Sequence, residues 1–120
     1  MHELGLTQSV LKIAMDAAEK RGASRITRIK VKAGEMEGIV ADSMQFHFEH
    51  LKVGTVAEGA ELVIEQVPLI IECSTCGGKS HVDRYEIVIC PKCQNFTVEV
   101  ISGKELLVES IETDKADTGL

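Results

Sequence analysis

The stretch CSTCGGKSHVDRYEIVICPKC, residues 73–93, decides how this 120-residue chain is to be read. Cys73-Ser74-Thr75-Cys76 and Cys90-Pro91-Lys92-Cys93 are two pairs of equal spacing, separated by thirteen residues. Two intervening residues let a tight turn aim both thiolates at one ion, and two such knuckles complete a tetrahedron. Gly77 and Gly78 give freedom to turn after the first pair, Pro91 stiffens the second, and Tyr85 to Ile89 reads as a strand between them. All four cysteines of the chain are used, so unrelated buried thiols are a poor explanation. Zinc is the expected ion. A closed shell of four thiolates leaves no position for water or substrate, which makes the ion structural rather than catalytic. A rubredoxin-like iron site would use the same double knuckle for electron transfer. Such sites usually sit in aromatic-rich domains, and here there are one Tyr, three Phe and no Trp.

Outward from the cysteines the pattern changes. From Gly5 to Arg21, Leu6, Val10, Ile13, Ala14 and Ala17 recur at helical spacing, and Lys20, Arg21 and Gly22 close an amphipathic helix. Arg28, Lys30 and Lys32 alternate with Ile29, Val31 and Ala33, the period of a strand with one wet face, and Gly34 and Gly38 punctuate the turn after it. Asp42 with Gln45 three residues on reads as a helix start, with Met44, Phe48 and Leu51 on one face until Gly54. Leu62 and Ile64 belong to a strand ended by Pro68, and Leu106 and Val108 to a final strand that needs a partner. The expected fold is α+β: a small sheet packed with two helices, carrying an inserted double-knuckle zinc ribbon. Residues 1–68 and the returning strand 102–112 would form the first domain, 69–101 the zinc-binding insert, and 113–120 a flexible tail.

Composition narrows the function classes. A net charge of −6 argues against a phosphate backbone as partner, so no nucleic acid is expected. The longest apolar runs are too short to cross a bilayer, and no signal peptide is visible, which leaves no membrane partner and a cytoplasmic location. There reduced, paired cysteines indicate metal or redox chemistry in place of disulfides. Among the described motifs no nucleophile–base pairing, phosphate-cradling loop or carboxylate constellation supports an enzyme.

Met1-His2-Glu3 opens the chain. A free α-amine, the His2 imidazole and intervening backbone nitrogens can form adjoining chelate rings, and nitrogen donors in a planar arrangement suit Ni(II) or Cu(II). A histidine after the initiator methionine is, on residue type alone, more often an incidental exposed side chain. His47 and His50, three apart on the second helix, share a face and could share a metal, although a solvated face is the commoner meaning of such a pair. His81 lies five residues after Cys76 and could donate to a thiolate, or equally be a plain loop residue. Arg28, Lys30 and Lys32 could dock an acidic partner, although charged strands are usually just solvated.

Met-His-Glu-Leu at the start, a helix, a basic strand ending in Gly34-Glu35-Met36 and a late double knuckle together resemble the HypA family (HypA/HybF) of hydrogenase nickel-incorporation proteins. The resemblance covers all but the last several residues. It implies a nickel metallochaperone that carries Ni(2+) as transferable cargo to the [NiFe] hydrogenase large subunit, working with a HypB-type GTPase. Nickel would be held at Met1, His2 and Glu3, by the Met1 amine, the His2 ring and backbone near Glu3. Structural Zn(2+) would be held by Cys73, Cys76, Cys90 and Cys93. Gly5 departs from the small hydroxyl residue, usually Ser, expected there. A homodimer is carried as a further association. The alternatives are a zinc-ribbon interaction adaptor and a rubredoxin-like electron carrier.

Overall fold

The computed structural model describes residues 2–83, 87–115 and 118–119, with side chains described for 3–83 and 87–115. Two helices and two small sheets make an α+β chain that falls into two compact units. One comprises Met1–Lys32, Ile39–Glu65 and Leu107–Leu120; the other, Ala33–Gly38 and Gln66–Leu106, holds the cysteines.

The first unit begins with helix α1, His2–Lys20. Its buried positions are Glu3, Thr7, Val10, Leu11, Ala14 and Ala18, a stripe turned from the expected one, so that Ile13 lies exposed. A polar residue can sit on the buried stripe because the Thr7 hydroxyl donates back to the Glu3 carbonyl within the helix. The helix ends as expected at a glycine. Gly22 takes φ of 70°, its N–H reaches the Glu19 carbonyl and the Ala23 N–H reaches that of Ala18, which satisfies the last carbonyls.

Strand β1, Ile26–Gly34, buries Ile29, Val31 and Ala33 on one parity. Helix α2, Ala41–Leu51, buries Met44 and Phe48. Its start differs from the expected one: Val40, not Asp42, occupies the capping position, and no side chain of its own caps it. Gln45 is not free to complete a capping box, since its Nε2 donates to the Leu62 carbonyl at 2.6 Å. The carboxylate of Glu3 instead accepts the Val40 N–H at 3.2 Å, the bond that a glutamate inside α2 would otherwise supply.

Strands β2 (Glu61–Val67), β6 (Leu106–Thr113) and β7 (Thr118–Gly119) complete the first sheet, in order β2-β1-β6-β7. The final long strand thus lies beside β1. At the chain's end, Asp114 accepts the Ser24 and Arg25 N–H groups, and β7 pairs with β6 in antiparallel register. The remainder of the tail, Ala116, Asp117 and Leu120, lies outside the described residues.

The wet face of this sheet is neutralised from within. Arg28 meets Glu61 and Glu112 at 3.1 and 3.2 Å, Lys30 meets Glu65 and Glu109 at 3.5 Å, and Lys32 meets Glu109 at 3.4 Å. The basic strand is therefore flanked by carboxylates on both neighbouring strands, and its charges are not left over for an acidic partner. Exposed pairs of this kind stabilise little individually, but as an interlocked set they favour this strand order over its alternatives.

In the second unit, β3 (Ile70–Cys73) is the middle strand of an antiparallel sheet of order β4-β3-β5, with β4 at Lys79–His81 and β5 at Val98–Ser102. The strand expected from Tyr85 to Ile89 is absent over its described part: Ile87, Val88 and Ile89 form a turn and bend. The core is small, with Leu69, Ile71 and Val82 packed by Met36, Ile87, Val98 and Val100. Gly34 has no room for a side chain, because a Cβ there would stand 2.0 Å from the Gly103 carbonyl oxygen.

Burial raises the Glu109 carboxyl, but Lys32 and Lys30 outweigh it and hold the group below its ordinary 4.5. A lowered folded-state pKa means that the contribution is fully present above 4.5 and disappears as pH falls through the folded value. Urea unfolding of the native chain and of Glu109→Gln should therefore differ at neutral pH, with native more stable, and converge in acid. A gap that persists below the carboxylate range would assign the effect to packing.

Candidate metal centre

Each cysteine pair is built on the same turn. The Gly77 N–H bonds the Cys73 carbonyl and the Gln94 N–H bonds that of Cys90, both at 2.8 Å. The residue after each pair then takes a left-handed conformation, Gly77 at φ 72° and Gln94 at φ 65°. Glycine adopts this freely, whereas glutamine does so against steric resistance, so the second knuckle holds local strain.

The four sulfurs lie within 4.8 Å of one another. Across the pairs, Cys73 Sγ and Cys93 Sγ are 3.6 Å apart, and Cys76 Sγ and Cys90 Sγ 3.8 Å. A tetrahedron with metal–sulfur bonds of about 2.3 Å has sulfur–sulfur edges of about 3.8 Å, so these two edges match those of a zinc-sized site. The knuckles also prepare two of the thiols, Cys73 and Cys90, to ionise. The Cys76 N–H, with the Thr75 N–H and the Thr97 hydroxyl, lowers the Cys73 thiol to about 6, and the Cys93 N–H acts in the same direction on Cys90. The Gly78 N–H lowers Cys76, but desolvation and the neighbouring thiols outweigh it and push this group up to about 11. Four anions cannot be held here side by side without a cation among them.

Residues beyond the ligands support the sulfurs. The Gly78 and Lys92 N–H groups reach Cys76 and Cys90 at 3.4 Å, Asn95 Nδ2 reaches Cys93 at 3.2 Å, and the Thr97 hydroxyl lies 3.8 Å from Cys73 and 2.7 Å from that of Thr75. Asn95 and Thr97 carried no recognised signal in the sequence. Asn95 was the more legible, since a primary amide two residues past a knuckle cysteine can reach its sulfur. His81 is engaged away from the sulfurs. Its Nε2 lies 2.7 Å from Glu35 Oε1, the oxygen that also accepts the Leu69 N–H at 2.7 Å. Hydrogen bonds from Leu69 first and His81 second hold the Glu35 carboxyl below its ordinary value.

At the other candidate site, Met1 lies outside the described residues, and of His2 only the backbone, the first residue of α1, is described. Glu3 is buried, with its carboxylate engaged by the Val40 N–H. Both His47 and His50 lie on α2, beside Phe46. No helix of the described residues is long and apolar enough to cross a membrane.

Residues 1–113 match the family model described as hydrogenase/urease nickel incorporation, metallochaperone, hypA. The chain belongs to the HypA family. It is 40% identical over 114 residues to the hydrogenase maturation factor HypA of Dehalococcoides mccartyi strain 195, with 95% of each chain covered. It is 39% identical to that of Geobacter metallireducens, covering 95% of this chain and all of the relative. The solution structure of the nickel metallochaperone HypA from Helicobacter pylori superposes with a TM-score of 0.65 at 25% identity, covering 94% of this chain and 97% of the other. The HypA family is one of nickel-incorporation metallochaperones acting in hydrogenase and urease maturation, so the resemblance drawn from the opening residues and the double knuckle is the family to which the chain belongs.

Since the apolar cluster beside the cysteines is small, metal binding should supply much of that unit's stability. Stripping metal with a chelator, or replacing Cys90 by Ser, should accelerate amide exchange over β3 and β5 while leaving α1 protected. Unchanged exchange in β3 and β5 after verified metal removal would show that the thiols merely cluster.

Proposed function

We propose that this chain is a nickel metallochaperone for [NiFe] hydrogenase, holding Ni(II) at its N-terminus and passing it, with a HypB-type GTPase, to the hydrogenase large subunit. The observation that carries this reading is the match to the nickel-incorporation family from residue 1, which takes in Met1-His2-Glu3 at the very start. The donors are the Met1 amine, the His2 imidazole and backbone nitrogen near Glu3. Two features suit the backbone donor. The first N–H groups of a helix have no intrahelical partner, and α1 begins at His2. The Glu3 carboxylate accepts the Val40 N–H, so in this reading Glu3 contributes its main chain and its side chain braces the site.

The ion at Cys73, Cys76, Cys90 and Cys93 is zinc, and its work is structural. When bound it supplies a fixed tetrahedral link between the two knuckles and no open position. The chain itself catalyses no reaction, works in the cytoplasm, and divides labour between an α/β nickel-binding part and a zinc-binding part. A cargo ion must be released, so the nickel donors belong at an accessible, reversible terminus, whereas the four-thiolate site retains its ion.

His2→Ala should abolish nickel binding at the terminus and leave zinc content and fold unchanged. A single Gly added ahead of Met1 should weaken nickel as well, because the chelating amine becomes an amide. Nickel affinity should fall as pH drops below neutrality, since an amine and an imidazole must both lose protons to bind metal. Calorimetric titration of untagged forms tests all three; equal affinity for native and His2→Ala would place the cargo elsewhere. Addition of a purified HypB-type GTPase should change the rate at which nickel leaves this chain for a chromogenic chelator. Neither association nor a change in that rate would remove the delivery step from the reading.

A further inference from the structure

We infer that His47 and His50 form a second transition-metal seat on α2, a two-imidazole site for a divalent ion such as Ni(II), independent of the N-terminus. Residues three apart occupy adjacent turns on one face of a helix, near enough for two side chains to share a ligand. Both rings also lie against one neighbour. The Phe46 ring centroid is 5.6 Å from that of His47, edge-on, and 4.6 Å from that of His50, tilted by 48°.

The tautomer of His50 follows from its partner. Its Nδ1 lies 2.9 Å from the Phe46 carbonyl oxygen, which can only accept, so Nδ1 carries the proton and Nε2 keeps an in-plane lone pair. A ligating histidine is typically held in this way, with one ring nitrogen donating to a carbonyl so that the other is oriented toward metal. Phe46 packs against that ring at a tilt, and this contact together with the Nδ1 hydrogen bond restricts the imidazole. It also gives a role to Phe46, a large apolar side chain that is 62% exposed and contributes nothing to the core.

The electrostatic setting favours a cation. His50 lies in the last turn of α2, where the aligned carbonyls present the negative end of the helix dipole. Lys52, the nearest basic residue in sequence, is drawn away: its Nζ meets Glu49 at 3.0 Å and the Ala60 carbonyl at 3.2 Å, and lies over the Phe48 ring. Among the described residues, neither imidazole takes part in an ion pair with a carboxylate, so the donors are not already spent. Imidazole suits Ni(II), Cu(II) and Zn(II), and two protein donors completed by water make a site that fills and empties readily.

The test is Ni(II) titration of untagged protein whose cysteine site has first been loaded with zinc, in four forms: native, His2→Ala, His2→Ala with His50→Gln, and His47→Gln with His50→Gln. His2→Ala should retain one weak nickel equivalent, and adding the exposed-site change His50→Gln should weaken that equivalent at least about tenfold. Nickel should broaden the ring resonances of His47 and His50 in His2→Ala. No residual equivalent in His2→Ala, or a residual equivalent untouched by His50→Gln, would overturn the proposal. If native and His2→Ala bind alike while the double glutamine form loses nickel, this site stands and the terminal one fails, so the two readings are separable. Circular dichroism of each form confirms that α2 is retained.

Discussion

Sulfur atoms held 3.6 and 3.8 Å apart across two separate turns set the conditions for everything in the cysteine unit. As thiols they make only weak contacts with one another, and as thiolates they repel; a dication among them removes both problems at once. Such a link would matter here because the apolar cluster among the described residues is small, and a cluster of that size offsets little of the entropy of ordering two turns. Each local feature then follows. Gly77 and Gln94 turn the chain out of each knuckle, peptide N–H groups from Gly78 and Lys92 approach the sulfurs, and Asn95 and Thr97 add side-chain donors.

The helical unit is organised by burial of apolar surface, with Phe48, Ile29 and Ile111 among its largest fully buried side chains. Each such side chain contributes about 1.5–3 kcal/mol on leaving water. Placed within that apolar setting, the Glu3 carboxylate requires a donor, and the first residue before α2 has an N–H that requires an acceptor. The bond between them serves both groups.

Much of this was legible along the chain. The two cysteine pairs, the glycine end of α1, the alternation of β1 and the two-helix, small-sheet composition all appear in spacing and period. The misreadings have physical causes. Asp42 and Gln45 match a capping box in sequence, but Gln45 gains more from the Leu62 carbonyl, and Glu3 arrives from another helix to take its place. Ile87 to Ile89 has the composition of a strand, yet Cys90 must enter its knuckle, and a chain turning into that knuckle cannot also extend along a sheet. Arg28, Lys30 and Lys32 look like an unpartnered basic face until both flanking strands are known.

What the sequence by itself determined was whatever depends on separation along the chain: a turn of four residues that aims two sulfurs at one point, a helix that ends at Gly22, a strand with one apolar parity. The family, too, was legible in the order of such local features, and residues 1–113 match its model. Only the tertiary structure decided which distant residues meet, because such meetings are set by strand order and register, which no local period encodes. Glu35 joins Leu69 and His81 across 34 and 46 residues, and Gly34 must be bare because Gly103 lies against it. Arg28 finds Glu61 and Glu112 on different strands for the same reason: β2 and β6 flank β1 in space, although they lie far apart in the chain.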